Sequence, residues 1–256
     1  MLRCATWLAP GLPLELFAVV SSAVAESLGT EATLESFTEA SGPDPDDDPF
    51  ACADIDLGFV CTPSYRELAA RTPPSVRLVG AAPVFADARN AGKPFYFSEL
   101  LVRDEVAASS LTGLAHARIG FNDRRSMSGL VALRNRLAEL GLDESFATLV
   151  HTGGHHQSLE MLTSGAIDAA AIDSNTLLLG ALPPGTRVVE TWGPFPVQPV
   201  VVRSSLADGD RAAISAALLS LHRDPATARS LRRFHVERFA AVSDTDYVPY
   251  DARDGC

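Results

Sequence analysis

Residues 118–129 read Arg118-Ile119-Gly120-Phe121-Asn122-Asp123-Arg124-Arg125-Ser126-Met127-Ser128-Gly129. The apolar run Ala117–Phe121 predicts a short strand. Beyond the polar stretch, Leu130, Leu133, Leu137 and Leu140 recur at helical spacing, and Gly141 stands where a helix C-terminus takes glycine. A strand therefore runs through a small loop directly into a helix from about Ser128 to Leu140. The first amides of such a helix lack internal partners and carry the positive end of its dipole. Gly129 lets the backbone approach a ligand, and the hydroxyls of Ser126 and Ser128 can each donate a further hydrogen bond, which makes an oxyanion cradle. The same serines serve equally as ordinary N-caps, and this segment alone leaves both readings open.

The second informative turn is His151-Thr152-Gly153-Gly154-His155-His156-Gln157-Ser158, another strand-to-helix junction. His151 and His155 stand four apart, but Gly153 and Gly154 break any helix between them and no third ligand is near in sequence, which argues against zinc. A histidine at a helix N-terminus suits an oxyanion-contacting donor, and it suits a plain surface position as well. A hydrolase triad from Ser126 or Ser128 with His155 and Asp173 is conceivable. No G-x-S-x-G elbow accompanies it, and Walker and dinucleotide glycine fingerprints are absent.

Working outward, short apolar segments alternate with helical patterns along the whole chain, the mark of an α/β fold with crossover helices. Strands are expected at Ala5–Leu8, Thr33–Phe37, Ile55–Val60, Val76–Ala81, Phe95–Arg103, Ala117–Phe121, Ala147–His151, Ala169–Ile172, Arg187–Thr191 and Val197–Val202. Helices are expected at about 14–28, 64–71, 128–140 and 155–164, with 208–239 helical throughout. Asp44, Asp46 and Asp48 lack the central glycine and closing glutamate of a calcium loop, so the stretch Ser41–Pro49 reads as a solvated acidic loop. Phe95–Arg103 and Trp192–Val202 read as two crossings between lobes. One lobe would comprise residues 1–99 and 195–256, the other 100–194, with a ligand cleft between them.

The chain has 256 residues, 46% of them apolar, and a net charge of −11, which excludes wholesale disorder and argues against nucleic acid or an anionic lipid surface as partner. No apolar run is long enough for a membrane span. Met1–Ala25 loosely imitates a secretory signal, but Pro10, Pro13 and Glu15 interrupt the apolar stretch. Leu14, Phe17, Ala18, Ala23 and Leu28 read better as the buried face of a helix. A cytoplasmic location is therefore expected as encoded, with a periplasmic or extracytoplasmic one as the alternative. Cys4, Cys52, Cys61 and Cys256 have no metal-ligand spacing, and no metal or cofactor is expected.

Five features in register resemble the phosphonate/phosphite/phosphate-binding proteins of ABC importers, over nearly the whole chain. They are Asp56-Leu57-Gly58-Phe59-Val60 with Thr62-Pro63-Ser64-Tyr65; Tyr96-Phe97-Ser98 with Leu101-Val102-Arg103; Ser126–Gly129 as S-x-S-G; Gly153-Gly154-His155 followed by Gly165–Asp173; and the tail Phe239–Tyr247. The resemblance implies an α/β, two-lobed type 2 periplasmic-binding-protein-like fold with mixed sheets and a hinge cleft. It implies ligand contacts from Ser126, the backbone N–H of Met127, Ser128 and His155, with Tyr65 and Tyr96 closing over the anion. Asp173 and Asn175 match the place where the family meets the rest of the ligand. The chain departs from the family in lacking a convincing secretion signal, and in carrying Gly154 where serine is frequent and His156 where an acidic residue is common.

The expected function is a solute-binding protein that closes around a small oxyanion such as phosphonate, phosphite or phosphate, as an ABC-importer receptor with a permease partner or as a cytoplasmic sensor. The alternative is a cytoplasmic enzyme on the same scaffold, with His155 as acid/base and Asp173 orienting it.

Overall fold

The structure, a computed structural model, describes residues 1–9, 11–38, 41–44 and 46–250. In chain order its elements are β1 (Leu2–Thr6), α1 (Leu14–Ser27), β2 (Ala32–Ser36), β3 (Leu57–Phe59), α2 (Thr62–Ala69), β4 (Val76–Leu78), β5 (Ala81–Phe85), β6 (Phe95–Arg103), β7 (Arg118–Phe121), α3 (Ala132–Glu139), β8 (Thr148–His151), α4 (His155–Thr163), β9 (Ala169–Asp173), α5 (Ser174–Gly180), β10 (Thr186–Pro196), β11 (Val200–Arg203), α6 (Asp208–Ser220), α7 (Pro225–Arg232) and β12 (Val236–Ala241). The described residues form two compact units: Met1–Phe95 with residues 196–250, and Tyr96–Phe195. The chain passes from one to the other at 95/96 and 195/196, against the expected 99/100 and 194/195.

The first unit is built on a sheet of order β2-β1-β3-β11-β4 and a two-stranded ribbon of β5 with β12. β1 lies parallel to β2 and β3, while β11 runs antiparallel to β3 and β4. On α1, Leu16, Phe17, Val20 and Val24 form the buried stripe, and the helix packs on α6 and α7. Each of those side chains contributes about 1.5–3 kcal/mol relative to exposure. Residues 1–25, which imitate a signal, thus supply β1 and most of α1. Beneath β1, Asp56 accepts from Arg3 Nε at 3.0 Å and Arg203 Nε at 2.8 Å. Burial pushes its carboxyl up, but these hydrogen bonds outweigh burial and bring it down to about 2.

The second unit carries the sheet β10-β6-β9-β7-β8. Its central strand, β9, is buried at every residue of Ala-Ala-Ala-Ile-Asp, and the small side chains let α4 pack closely on it. β7 is parallel to β8 and β9, and β6 runs antiparallel to β9.

Four expectations are corrected. The strand expected at Val76–Ala81 is two, because Gly80 at φ 89° turns the chain between β4 and β5. Of the two strands expected around Gly193, the first runs on through Gly193 to Pro196 as β10, and the second starts later, at Val200, as β11. The expected helix through Phe239 stops after α7, where His235 adopts φ 55°, and Val236–Ala241 pairs with β5 as β12. The acidic loop is not wholly solvated, since Asp48 is buried, accepts from Phe50 N at 3.0 Å and pairs with Arg71 at 2.6 Å.

Among the described residues no cluster of three or more metal-ligating side chains occurs, and no helix is long and apolar enough to cross a membrane. Cys4 and Cys61 are buried and Cys52 is exposed, while Cys256 lies outside the described residues.

Candidate functional site

β7, β8 and β9 run parallel in the second unit, so their C-terminal ends share one edge of its sheet, and each opens into a helical turn. Ligand sites of α/β sheets form outside such ends. β6 approaches from the opposite direction, with Ser98 facing Asp173 across the ladder, which brings Tyr96–Ser98 to the same edge.

After β7 the chain reaches Ser126, whose extended backbone (φ −78°, ψ 123°) and hydroxyl cap the next turn by accepting from Gly129 N at 3.2 Å. The expected α-helix begins there as a π turn over Met127–Val131, in which Val131 N reaches back to Ser126 O and Ala132 N to Met127 O. The cause lies across the sheet: Ser98 Oγ donates to the Ser128 carbonyl at 2.6 Å, drawing that oxygen out of the helical ladder. Widened turns of this kind are frequent where helices carry function. Gly129 is required, because a Cβ there would strike Asn122 Oδ1 and stand 3.2 Å from Ser126 Oγ.

After β8, Gly153 takes φ 90° and Gly154 caps α4 with no side-chain help. Thr152 Oγ1 ties the turn to Phe121 O at 3.0 Å and to Ser158 Oγ at 2.6 Å, setting His155 at the first helical position. His155 is 5% exposed, and its Nε2 lies 3.3 Å from Ser128 Oγ. Burial, with a smaller push from His156, lowers its imidazole to about 3, so it is neutral at physiological pH. A neutral imidazole and a serine hydroxyl carry one proton each. Their mutual hydrogen bond uses one, and the pair offers the other to a ligand. His155 Nδ1 is buried without a hydrogen-bond partner among the described residues. His151 is exposed, with its ring against Phe121.

After β9, the Asp173 carboxylate caps α5 by accepting from Asn175 N at 2.7 Å. The His155–Asp173 pairing expected of an enzyme is not made through His155 Nδ1, which has no hydrogen-bond partner among the described residues. Asn175 is fully buried, and neither atom of its amide has a hydrogen-bond partner among the described residues. A buried amide left so is costly, by about 1–3 kcal/mol for each unsatisfied group. Asn122 Oδ1, at the end of β7, is buried and equally without a partner.

The structure thus brings Ser126, Met127, Ser128, His155, Asp173 and Tyr96 to one edge of one sheet. Tyr96 is wholly buried, its ring 6.0 Å from that of Phe195. Tyr65 belongs to the first unit. Its hydroxyl donates to Asp244, its ring meets Tyr247 edge-on at 5.6 Å, and burial together with Asp244 pushes its phenol up, so it stays a donor. Ser98 and Asn122 were not singled out by the sequence reading. The signal for Asn122 was a polar side chain placed directly after a buried strand and seven residues before a glycine.

Residues 51–247 match the family described as ABC transporter, phosphonate, periplasmic substrate-binding protein. A search of curated proteins finds no significant match. Among solved structures, a binding-protein component of an ABC phosphonate transporter from Pseudomonas aeruginosa superposes with a TM-score of 0.78 at 15% identity, covering 97% of this chain and 83% of that one. A protein from Prochlorococcus marinus in complex with methylphosphonate gives 0.77 at 16% identity, covering 97% and 94%. An alkanesulfonate-binding protein from Xanthomonas axonopodis pv. citri, bound to MOPS, gives 0.63 at 17% identity, covering 96% and 88%. At these identities the likeness shows the fold, which is that of type 2 periplasmic binding proteins.

Proposed function

Because the chain belongs to the family of periplasmic phosphonate-binding proteins of ABC transporters, we propose that it holds a phosphorus oxyanion, a phosphonate, phosphite or phosphate, at the strand-end edge of its second unit. The observation that carries this reading is the Ser128–His155 pair, neutral and buried, beside the capped turn of Ser126 and the uncapped start of α4. Neutral donors and helix N-termini hold an anion without a full counter-charge. The distant net charge of −11 is largely screened beyond a Debye length of about 10 Å.

In this reading Ser126, the Met127 amide, Ser128 and His155 meet the oxyanion, and Tyr96 and Asp173 are further contacts, while Tyr65, in the first unit, has its hydroxyl on Asp244. Asn175 meets the remainder of the ligand. The Asn175 amide is neutral, with neither polar atom partnered among the described residues, which favours a substituent that is itself neutral and hydrogen-bonding. The methylphosphonate complex of the Prochlorococcus protein supports the ligand class. An ABC permease is the proposed partner of the importer role. Fractionation of the native protein distinguishes that receptor from a cytoplasmic sensor.

The test is a thermal-shift titration of the full chain with phosphate, phosphite, methylphosphonate, 2-aminoethylphosphonate and sulfate. A ligand at a hundredfold its Kd adds about 2.7 kcal/mol of stability. A saturable shift with a phosphorus oxyanion, lost in Ser128→Ala, supports the reading. No shift with any of them overturns it.

A further inference from the structure

We propose that this site selects the singly protonated form of a phosphorus oxyanion, the Asn122 carbonyl accepting the ligand's P–OH proton; the inference rests on the receptor reading above. Four observations converge on it. Asn122 leaves the end of β7 directly into the S-x-S-G turn, and its Oδ1 is buried with no hydrogen-bond partner among the described residues. Gly129 packs against that oxygen, since any Cβ there would strike it, and Ser126 Oγ stands 3.2 Å from the same Cβ position. The hydroxyl and imidazole groups around it, Ser126, Ser128 and His155, are all neutral. Finally, the Ser128–His155 pair has only one proton left to offer, so the edge is not saturated with donors.

An unpartnered acceptor beside an anion site is a selective device. Against a fully ionised oxygen, two acceptors face each other with no proton between them, and the contact is repulsive. Against a P–OH, the same carbonyl receives a hydrogen bond in a buried setting, where leaving it unmade is expensive. A sulfonate or sulfate has no proton to give at neutral pH and meets only the repulsive case, so one carbonyl discriminates between two oxyanions of similar shape.

The titratable and charged groups around Asn122 are Asp123, Arg124 and Arg125 on its own loop, His151 on β8, His155 and His156 at the start of α4, and Asp173 at the end of β9. Methanesulfonate keeps a constant charge over the working pH range, so it reports whatever those groups contribute. The experiment is calorimetric titration of the full chain with methylphosphonate and methanesulfonate from about pH 5.5 to about pH 9. Wild type, Asn122→Leu and Asn122→Asp are compared, and the melting temperature of each unliganded variant verifies folding.

Wild-type affinity for methylphosphonate is expected to fall about ten-fold per pH unit above the ligand's second ionisation, while methanesulfonate binding stays weak and flat. Asn122→Leu should weaken methylphosphonate by about ten-fold or more at the acidic end and leave methanesulfonate unchanged. Asn122→Asp, which keeps a carbonyl acceptor and has no N–H to donate, should retain methylphosphonate at the acidic end. Methylphosphonate affinity that holds or rises with pH overturns the inference. So does an equal loss of both ligands in Asn122→Leu, which would make Asn122 a positioning residue, or loss of methylphosphonate in Asn122→Asp, which would make it a donor. Failure of the wild type to bind any phosphorus oxyanion at any pH overturns the receptor reading itself.

Discussion

Ser98 Oγ donates to the carbonyl oxygen of Ser128 at 2.6 Å, and this bond sets the shape of the anion turn. With the Ser128 carbonyl held across to β6, Ala132 N bonds to Met127 O and Gly129 O, and Met127–Val131 winds as a π turn. Ser98 is wholly buried, so Ser98→Ala leaves the carbonyl without its donor. A loss of about 1–3 kcal/mol in urea unfolding is expected, together with weaker oxyanion binding, and Ser98→Thr should recover part of both. Unchanged affinity in a destabilised Ser98→Ala would show that the turn keeps its shape without the bond.

Ser126 and Ser128 separate by role although they are two residues apart. Ser126 Oγ accepts from Gly129 N as an N-cap and keeps its proton to donate, whereas Ser128 Oγ is paired with His155. Ser126→Ala should therefore cost about 1 kcal/mol of stability, measurable without ligand. Ser128→Ala leaves His155 Nε2 without its hydroxyl partner and should also cost about 1–3 kcal/mol, but unlike Ser126→Ala it should remove most of the ligand-induced shift. The reverse pattern would exchange the two assignments.

Most of this edge was legible in the sequence because strand-to-helix turns announce themselves through composition. Gly153 and Gly154 before His155, and the serines before Gly129, mark where backbone must be tight and donors exposed. The short strand before Asp173 was legible too, as the run Ala169–Ile172 has no polar member. What the sequence hid was long-range pairing. Nothing local to Ser98 says that it will reach the carbonyl of Ser128, thirty residues on, or that Asp173 will cap α5. The ribbon of β5 with β12 was missed for the same reason: Val236–Ala241 follows a helix without a break in apolar content, and its partner lies some 150 residues earlier.

Asn175 offers a test in which stability and function move in opposite directions. Its amide is fully buried and neither polar atom has a hydrogen-bond partner among the described residues. Asn175→Leu removes both unsatisfied groups at nearly constant volume, so the unliganded protein should melt at a higher temperature. The same change should weaken ligands with a hydrogen-bonding substituent, such as hydroxymethylphosphonate, more than methylphosphonate. A variant that melts lower and binds both ligands as before would make Asn175 a structural residue.

His155 gives the protein a pH dependence whose sign follows from its burial. The imidazole is held at about 3 in the folded chain, against about 6.5 when unfolded. Below the unfolded value the unfolded chain binds a proton that the folded chain does not, so the stability this residue contributes is complete above about pH 6.5 and is lost as pH falls. The slope reaches at most about 1.4 kcal/mol per pH unit. Asp56, held at about 2 by Arg3 and Arg203, contributes in the same direction but only at lower pH, below the ordinary carboxylate range near 4. The window from about pH 6.5 to about pH 4.5 therefore isolates the histidine. Urea midpoints across it should decline in the wild type and flatten in His155→Gln, whose amide occupies similar space without titrating. A slope that survives the substitution would place the protonation elsewhere. The loss of His155 should then matter for ligand binding alone, since a neutral, buried donor is what the anion edge takes from it.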